Sequence, residues 1–258
     1  MVNMKTVILA GGFGTRLSEY TNLIPKPMVE IGGRPILWHI MNCYSKYGYN
    51  DFIIALGYKG EVIKEYFLNY YALNNDFEVD LSSGSIEYIN EKKRNWKITL
   101  IDTGENTMTG GRLKRLKNYI GDNSFMLTYG DAVSNIDISK LVKFHFNHGK
   151  TATVTSVRPT ARFGELSINN NTNIVEEFEE KPQTTQGWVN GGFFVFESKF
   201  LDDIDNDSTV LEQDPLSNLS KNKNLVSFKH DGFWQSMDNV RDLNVLRNLW
   251  DKKIAPWI

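Results

Sequence analysis

Cysteine is nearly absent. Cys43 is the single one in 258 residues, which excludes an internal disulfide framework and any multi-cysteine zinc or iron–sulfur centre. There is no surplus of positive charge. Lys and Arg total 29 against 31 Asp and Glu, a net charge of -2, so sequence-independent nucleic-acid binding, which needs clustered cations, is not expected. Long hydrophobic runs are missing too. Met1-Val2-Asn3-Met4-Lys5 leads into a short apolar stretch ending at Gly11, too short to span a bilayer and without a signal-peptide cleavage pattern. Membrane, secreted and fibrous classes are therefore not expected. Internal repeats, low-complexity tracts and a Pro/Gly/Ser-rich linker are lacking, as are a Walker A string and a G-x-S-x-G elbow. What remains is an ordinary globular composition, 41% hydrophobic and 23% charged. The length suits one large domain or two small ones, and the missing linker favours one domain over 1–258.

Through the first 157 residues, apolar runs of strand length alternate with stretches of helical period. Strands are expected at Lys5 to Ala10, Asp51 to Leu56, Trp96 to Asp102, Ser124 to Thr128 and Thr151 to Val157. Helices are expected at Ile36 to Tyr47, Gly60 to Tyr71, Gly111 to Tyr119 and Ile138 to His148. This alternation implies an α/β fold with a largely parallel sheet covered on both faces. After residue 158, Leu166 to Ile168, Ile174 to Phe178, Val189 to Phe196 and Leu225 to Phe228 read as strands with short polar connections, an antiparallel addition to the same sheet. Val240 to Trp250 reads as a C-terminal helix. The polar segment from Asn74 to Arg94 is open to reading as a protruding hairpin.

The strongest local signal is Leu9-Ala10-Gly11-Gly12-Phe13-Gly14-Thr15-Arg16-Leu17. It follows a strand and is expected to open a helix. Glycines allow a sharp turn and close ligand approach, consecutive amides at a helix start form an anion site, and Arg16 adds a bidentate clamp for phosphate. A dinucleotide fingerprint fails here because Leu17 stands where the third glycine belongs. Nine residues on, Pro25-Lys26-Pro27 fixes a lysine on a rigid loop, suited to carry a point charge to a phosphate.

Further along, Tyr129-Gly130-Asp131 ends a strand where open α/β sheets bind ligands. Asp131 there suits Mg2+, which takes few carboxylates plus phosphate oxygens. Glu179-Glu180-Lys181-Pro182 repeats the rigid-lysine pattern, although an acidic run is more often a solvated face. Val189-Asn190-Gly191-Gly192 marks a β-bulge or a ligand-facing strand. Asp238 is open to two readings: it caps the C-terminal helix, or Asn239 with Asp242 does so and leaves Asp238 free. His145 and His148, ahead of Gly149, are expected near an exposed helix end, and His39 and Cys43 are expected to pack.

The G-G-x-G-T-R-L loop, the following P-K-P and the later E-E-K-P together resemble the sugar-nucleotidyltransferase family, the nucleoside-diphosphate-sugar pyrophosphorylases. The likeness runs from Lys5 to the C-terminal helix. It implies a Rossmann-like mixed central sheet flanked by helices, with a nucleotide-binding part over 1–157 and a sugar-phosphate-binding part over 158–258. It assigns nucleotide contacts to Leu9, Ala10, Gly11, Gly12, Phe13, Gly14, Thr15, Arg16, Lys26, Thr107, Arg112 and Gly130. Sugar-phosphate contacts fall on Tyr129, Gly164, Glu180, Lys181 and Asn190. Arg16, Lys26 and Lys181 carry catalysis, and Asp131 and Asp238 hold Mg2+. Met108-Thr109-Gly110-Gly111-Arg112-Leu113-Lys114-Arg115 replaces the base-contacting Q-P-x-G-L-A type segment of the thymidylyl and uridylyl branches. The resemblance therefore points to the branch that joins CTP and glucose 1-phosphate. It further implies a cytoplasmic homo-oligomer, a hexamer, serving surface-polysaccharide sugar synthesis. Two rivals remain open: a nucleotide-sugar glycosyltransferase, whose usual D-x-D is replaced here by Gly130-Asp131-Ala132, and a ligand-sensing relative without catalysis.

Overall fold

The computed structural model of the chain describes residues 4–89, 93–159, 165–168, 172–179 and 187–258. Among these, seven apolar runs form one sheet in the order Leu225–His230, Ala152–Val157, Val189–Phe196, Phe125–Tyr129, Thr6–Leu9, Asp51–Leu56 and Lys97–Asp102. Thr6–Leu9 lies between Asp51–Leu56 and Phe125–Tyr129, parallel to both, and Lys97–Asp102 extends the same parallel set. The chain thus leaves the first strand to one side and returns later on the other. That reversal of strand order opens a crevice at the carboxyl ends of the central strands.

The later strands differ from the expected antiparallel addition. Only Val189–Phe196 runs against its neighbours, while Leu225–His230 is parallel to Ala152–Val157. Glu165–Ile168 pairs with Val175–Glu179 in a separate two-stranded sheet. The physical reason is the connection after Val189–Phe196. With the 3-10 turn Ser198–Asp203 and the helix Asp214–Lys221 it steps over Ala152–Val157, so Leu225–His230, opposite in direction to Val189–Phe196, lands on the far side of Ala152–Val157 and parallel to it. Two expected helices are also interrupted. Gly60–Leu68 is followed by a separate turn Tyr70–Asn74, and Thr109–Arg115 by Lys117–Ile120. The polar segment does form a hairpin, Asp76–Asp80 against Ser85–Ile89.

Period-two alternation sends successive strand residues to opposite faces. Ile8, Ile54, Met126 and Val195 face one core with the helix Ile36–Ser45 and, from Val240–Asp251, Leu243 and Leu246. Val7, Leu9, Ile53, Ala55, Leu127, Phe194 and Phe196 face the other, closed by Leu113, Leu216 and Leu219. Both faces are therefore covered, and the polar loops are left to gather at the strand ends.

The histidines depart from the reading of an exposed helix end. His145 is buried, its Nδ1 2.8 Å from Thr153 Oγ1 and its Nε2 3.1 Å from Glu197. His148 Nε2 meets the same Thr153 hydroxyl at 2.7 Å. His39 is buried as expected, its Nε2 against the Ile31 carbonyl and its Nδ1 accepting from Trp257 Nε1. Burial holds the imidazoles of all 4 histidines, His39, His145, His148 and His230, below their ordinary value. In the unfolded chain each takes up a proton near pH 6.5 while the folded form resists it. Their stabilising contribution is present above that pH and is lost as the pH falls towards the depressed folded values. The urea midpoint is therefore expected to be lower at pH 5.5 than at pH 7.5. An unchanged midpoint across that window contradicts neutral burial.

Candidate active site

Backbone pairing assembles the crevice. Leu9 and Tyr129 are register partners at the ends of adjacent parallel strands, and the Gly130 amide donates to the Leu9 carbonyl at 3.0 Å. The glycine loop and Asp131 are thereby fixed side by side. A short strand unseen in the sequence, Trp234–Ser236, pairs with Ala132–Ser134, and the Met237 amide donates to the Asp131 carbonyl at 2.8 Å. This brings Asp238 to Asp131. The cap of the last helix falls to Asn239, whose Oδ1 accepts from the Asp242 amide, while Asp242 Oδ2 accepts from the Asp238 amide. The carboxylate of Asp238 is left free for the site, as the second of the two open readings had it.

Lys26 stands at the centre. Pro25 enters extended and Lys26–Met28 makes a 3-10 turn, so the lysine is held on a stiff support and is buried. Its Nζ donates to Asp131 Oδ2 at 2.7 Å and to Asp238 Oδ1 at 2.8 Å. Arg16, largely exposed, approaches Asp238 Oδ1 at 3.3 Å. Burial alone pulls the Lys26 ammonium down, yet Asp131 and Asp238 outweigh it and hold it above the ordinary lysine range. For Asp238, burial pushes upward but is overcome by Lys26 and Arg16, which hold the carboxyl below its usual value. Two carboxylates converging on one small cation are hard oxygen donors of the kind that Mg2+ takes together with phosphate oxygens.

The glycine loop departs from expectation in one respect. A 3-10 turn Thr15–Leu17 and a single turn Ser18–Thr21 stand where a full helix was expected, so its dipole adds little and anion binding rests on the loop amides. Those of Gly12 to Thr15 take no backbone partner among the described residues. Gly14, at φ 64, turns the loop back, and Thr21 Oγ1 donates to its carbonyl. Arg112 also differs. It is buried, donating to the carbonyls of Gly11 and Leu56 at 3.0 Å, Gly104 at 2.6 Å and Glu105 at 2.9 Å, and to Thr103 Oγ1 at 2.8 Å. Both terminal nitrogens are engaged by protein, so Arg112 braces the glycine loop from beneath and does not hold them free for a ligand.

Opposite the aspartates, Tyr129 and Asn190 meet across strands: Asn190 Nδ2 donates to Tyr129 Oη at 3.2 Å. The ladder between Ala152–Val157 and Val189–Phe196 shifts register opposite Gly191 and Gly192, so the bulge read from the glycines is present and lies next to Asn190. Every predicted site residue among the described ones lines a single cavity of about 620 Å³. Gly164, Glu180 and Lys181 lie outside the described residues. The sequence reading singled out none of Glu105, Asn106, Glu212, Trp234 and Ser236 in that lining, and Thr109 only as part of the run from Met108. Glu105, Asn106 and Glu212 sit in no motif, and the pairing of Trp234–Ser236 with Ala132–Ser134 is what reveals Trp234 and Ser236.

With this geometry in view, comparison with known proteins is specific. The family model described as nucleotidyl transferase matches residues 5–247. The glucose-1-phosphate cytidylyltransferase of Salmonella typhimurium is 51% identical over 255 residues, covering 98% of each chain. A probable glucose-1-phosphate cytidylyltransferase of Bacillus subtilis is 44% identical over 98% of this chain and 99% of its own. Among solved structures, HddC from Yersinia pseudotuberculosis superposes with a TM-score of 0.69 at 25% identity, covering 96% of this chain and 99% of that one. The likeness runs nearly from end to end of the chain, over the strands, loops and helix that carry the glycine loop, Lys26, Asp131 and Asp238, and the chain belongs to the nucleotidyl transferase family.

Proposed function

We propose that this chain transfers CMP from CTP to glucose 1-phosphate, forming CDP-glucose and releasing pyrophosphate. The observation that carries it is the near full-length match to the Salmonella and Bacillus cytidylyltransferases, on a chain whose described candidate residues line one crevice. An oxygen of the sugar phosphate attacks the α-phosphorus of CTP, a bond forms between them, and the bond from the α-phosphorus to the β-phosphate bridge breaks. The attacking phosphate is already anionic at neutral pH, so no general base and no covalent enzyme intermediate is needed. The protein's work is positioning and charge stabilisation.

The amides from Gly11 to Thr15, with Arg16, hold the triphosphate, and Lys26 brings its charge to the same side. Glu180 and Lys181 receive the sugar and its phosphate, joined by Tyr129, Gly164 and Asn190. Mg2+ held by Asp131 and Asp238 supplies neutralisation of phosphate charge when bound. The base is read beside Ala10 to Gly12 and the Thr107 to Arg112 segment, where one buried acceptor favours the N4 amino group of cytosine over the O4 of uracil or thymine.

The whole chain acts as one nucleotidyltransferase domain, with the nucleotide on the 1–157 side and the sugar phosphate on the 158–258 side. The exposed apolar residues of the hairpin, Phe77, Val79, Ile86 and Ile89, support a homo-oligomer; that it is a hexamer is what the family resemblance alone implies. The setting implied by the resemblance is cytoplasmic. No helix among the described residues is long and apolar enough to cross a membrane.

Asp131→Asn removes one of the two facing carboxylates. Turnover is expected to fall at least tenfold, about 1.4 kcal/mol in the barrier, with the circular dichroism spectrum unchanged. Near-normal turnover at saturating Mg2+ rejects the role given to Asp131. The test of the reaction is kcat/KM for CTP, UTP and dTTP with glucose 1-phosphate at matched Mg2+. An unpaired buried polar group costs about 1–3 kcal/mol, so CTP is expected to lead by roughly tenfold to a hundredfold. UTP or dTTP equalling CTP overturns the cytidylyl reading and leaves family membership intact.

A further inference from the structure

Glu212 belongs to no motif and stands outside every strand and helix, in the segment before Asp214–Lys221, yet it lines the crevice. A carboxylate is out of place in a cavity meant for two phosphorylated ligands unless it serves something other than phosphate. Both of its oxygens are engaged. Oε1 accepts from Tyr129 Oη at 2.5 Å, and Oε2 accepts from Thr109 Oγ1 at 2.7 Å. The Leu211 amide in turn donates to that Thr109 oxygen at 2.9 Å. The segment carrying Glu212 is itself docked on the Met108 to Arg115 stretch. The Met108 amide donates to the Asp207 carbonyl and those of Gly110 and Gly111 to the Thr209 carbonyl, while Arg115 pairs with the Asp207 carboxylate.

Tyr129 is the element that Glu212 controls. Its ring has little freedom: a Cβ on Gly192 would come within 2.5 Å of it, and Phe194 meets it edge-on at 6.0 Å between centroids. Its hydroxyl donates to Glu212 and accepts from Asn190 Nδ2, while Asn190 Oδ1 accepts from the Gly192 amide at 2.8 Å. The direction of every bond in this chain follows from its first member. A carboxylate only accepts, so Tyr129 must donate to it. The phenol then has its lone pairs for Asn190, which must present its NH2 and turn its carbonyl to the bulge.

We propose that Glu212 is a positioning residue for the sugar-phosphate side of the reaction: by holding Tyr129 and, through it, Asn190 in one hydrogen-bonding polarity, and by anchoring that wall to Thr109 on the nucleotide side, it fixes which polar groups meet the sugar. This rests on the reading of Tyr129 and Asn190 as the sugar wall.

The test is a kinetic double-mutant cycle on the full-length enzyme with Glu212→Ala, Tyr129→Phe and the pair, each assayed against CTP and glucose 1-phosphate separately. Glu212→Ala is expected to raise KM for glucose 1-phosphate at least tenfold while KM for CTP stays within threefold. Tyr129→Phe keeps the ring and loses both hydrogen bonds, and is expected to act in the same direction. The double variant is expected to be no worse than the poorer single one, since both remove the same chain of bonds. Thr109→Val, which leaves the Tyr129 bond in place and removes the second anchor together with the acceptor of the Leu211 amide, is expected to give a smaller shift of the same sign. Equal rises in both Michaelis constants, or effects of Glu212 and Tyr129 that multiply, overturn the proposal. Wild-type enzyme is assayed first: if it makes no CDP-glucose, the functional reading fails, independently of the comparison between variants.

Discussion

One ammonium group between two carboxylates holds the site together. Lys26 reaches Asp131 at 2.7 Å and Asp238 at 2.8 Å, joining three parts of the chain that are remote in sequence. Each partner is placed by a different device: the lysine by flanking prolines, Asp131 by the end of a parallel strand, and Asp238 by a short ladder and a helix cap that leaves its carboxylate free. With its side chain only 10% exposed, the lysine cannot fall back on water. Losing either carboxylate leaves the buried ammonium with one anionic partner, and because the carboxylates are 30% and 22% exposed the cost stays below the figure of about 3–5 kcal/mol for stranding a fully buried charge.

The rest of the crevice depends on the same arrangement. The loop from Gly11 to Arg16 is kept beside Asp131 because its strand and that of Tyr129 are register partners, and Arg112 grips the Gly11 carbonyl from below. Arg16 extends over Asp238 from the other end of the loop. Among the described residues the cluster contains two cations, Arg16 and Lys26, against two anions, Asp131 and Asp238. Those four charges balance, and an incoming polyphosphate meets them beside loop amides that take no backbone partner among the described residues. Across the cavity, Glu212, Tyr129 and Asn190 make a second polar wall whose polarity is fixed by a carboxylate instead of an ammonium.

Much of this was legible in the sequence because it is local. The glycine loop, the Pro25-Lys26-Pro27 segment and Asp131 at a strand end each carry their physics within a few residues. The competition between Asp238 and Asn239 for the helix cap was also open to view, since the Asn239 and Asp242 spacing is a capping pattern. What stayed hidden is long-range. The ladder between Trp234–Ser236 and Ala132–Ser134 involves strands too short to leave a periodic signal. Glu212 depends on docking of the 207–212 segment against Met108 to Arg115. Arg112 was taken for a ligand contact because a charged residue on a nucleotide loop invites that reading, yet five protein acceptors claim its terminal nitrogens. The pairing of Leu225–His230 was hidden because the strand steps over Ala152–Val157 and lies on its far side instead of beside Val189–Phe196, which precedes it in the chain.

The most direct test of the central ion pair is a stability cycle on Lys26→Met, Asp238→Asn and the double variant, measured by urea unfolding at pH 7.5. If the lysine is what holds the two carboxylates, each single change is costly and the pair costs less than their sum, with a coupling of about 2 kcal/mol. Effects that add within about 0.5 kcal/mol would mean that Lys26 and Asp238 are placed independently, and the ion pair would not be the constraint on which the crevice depends.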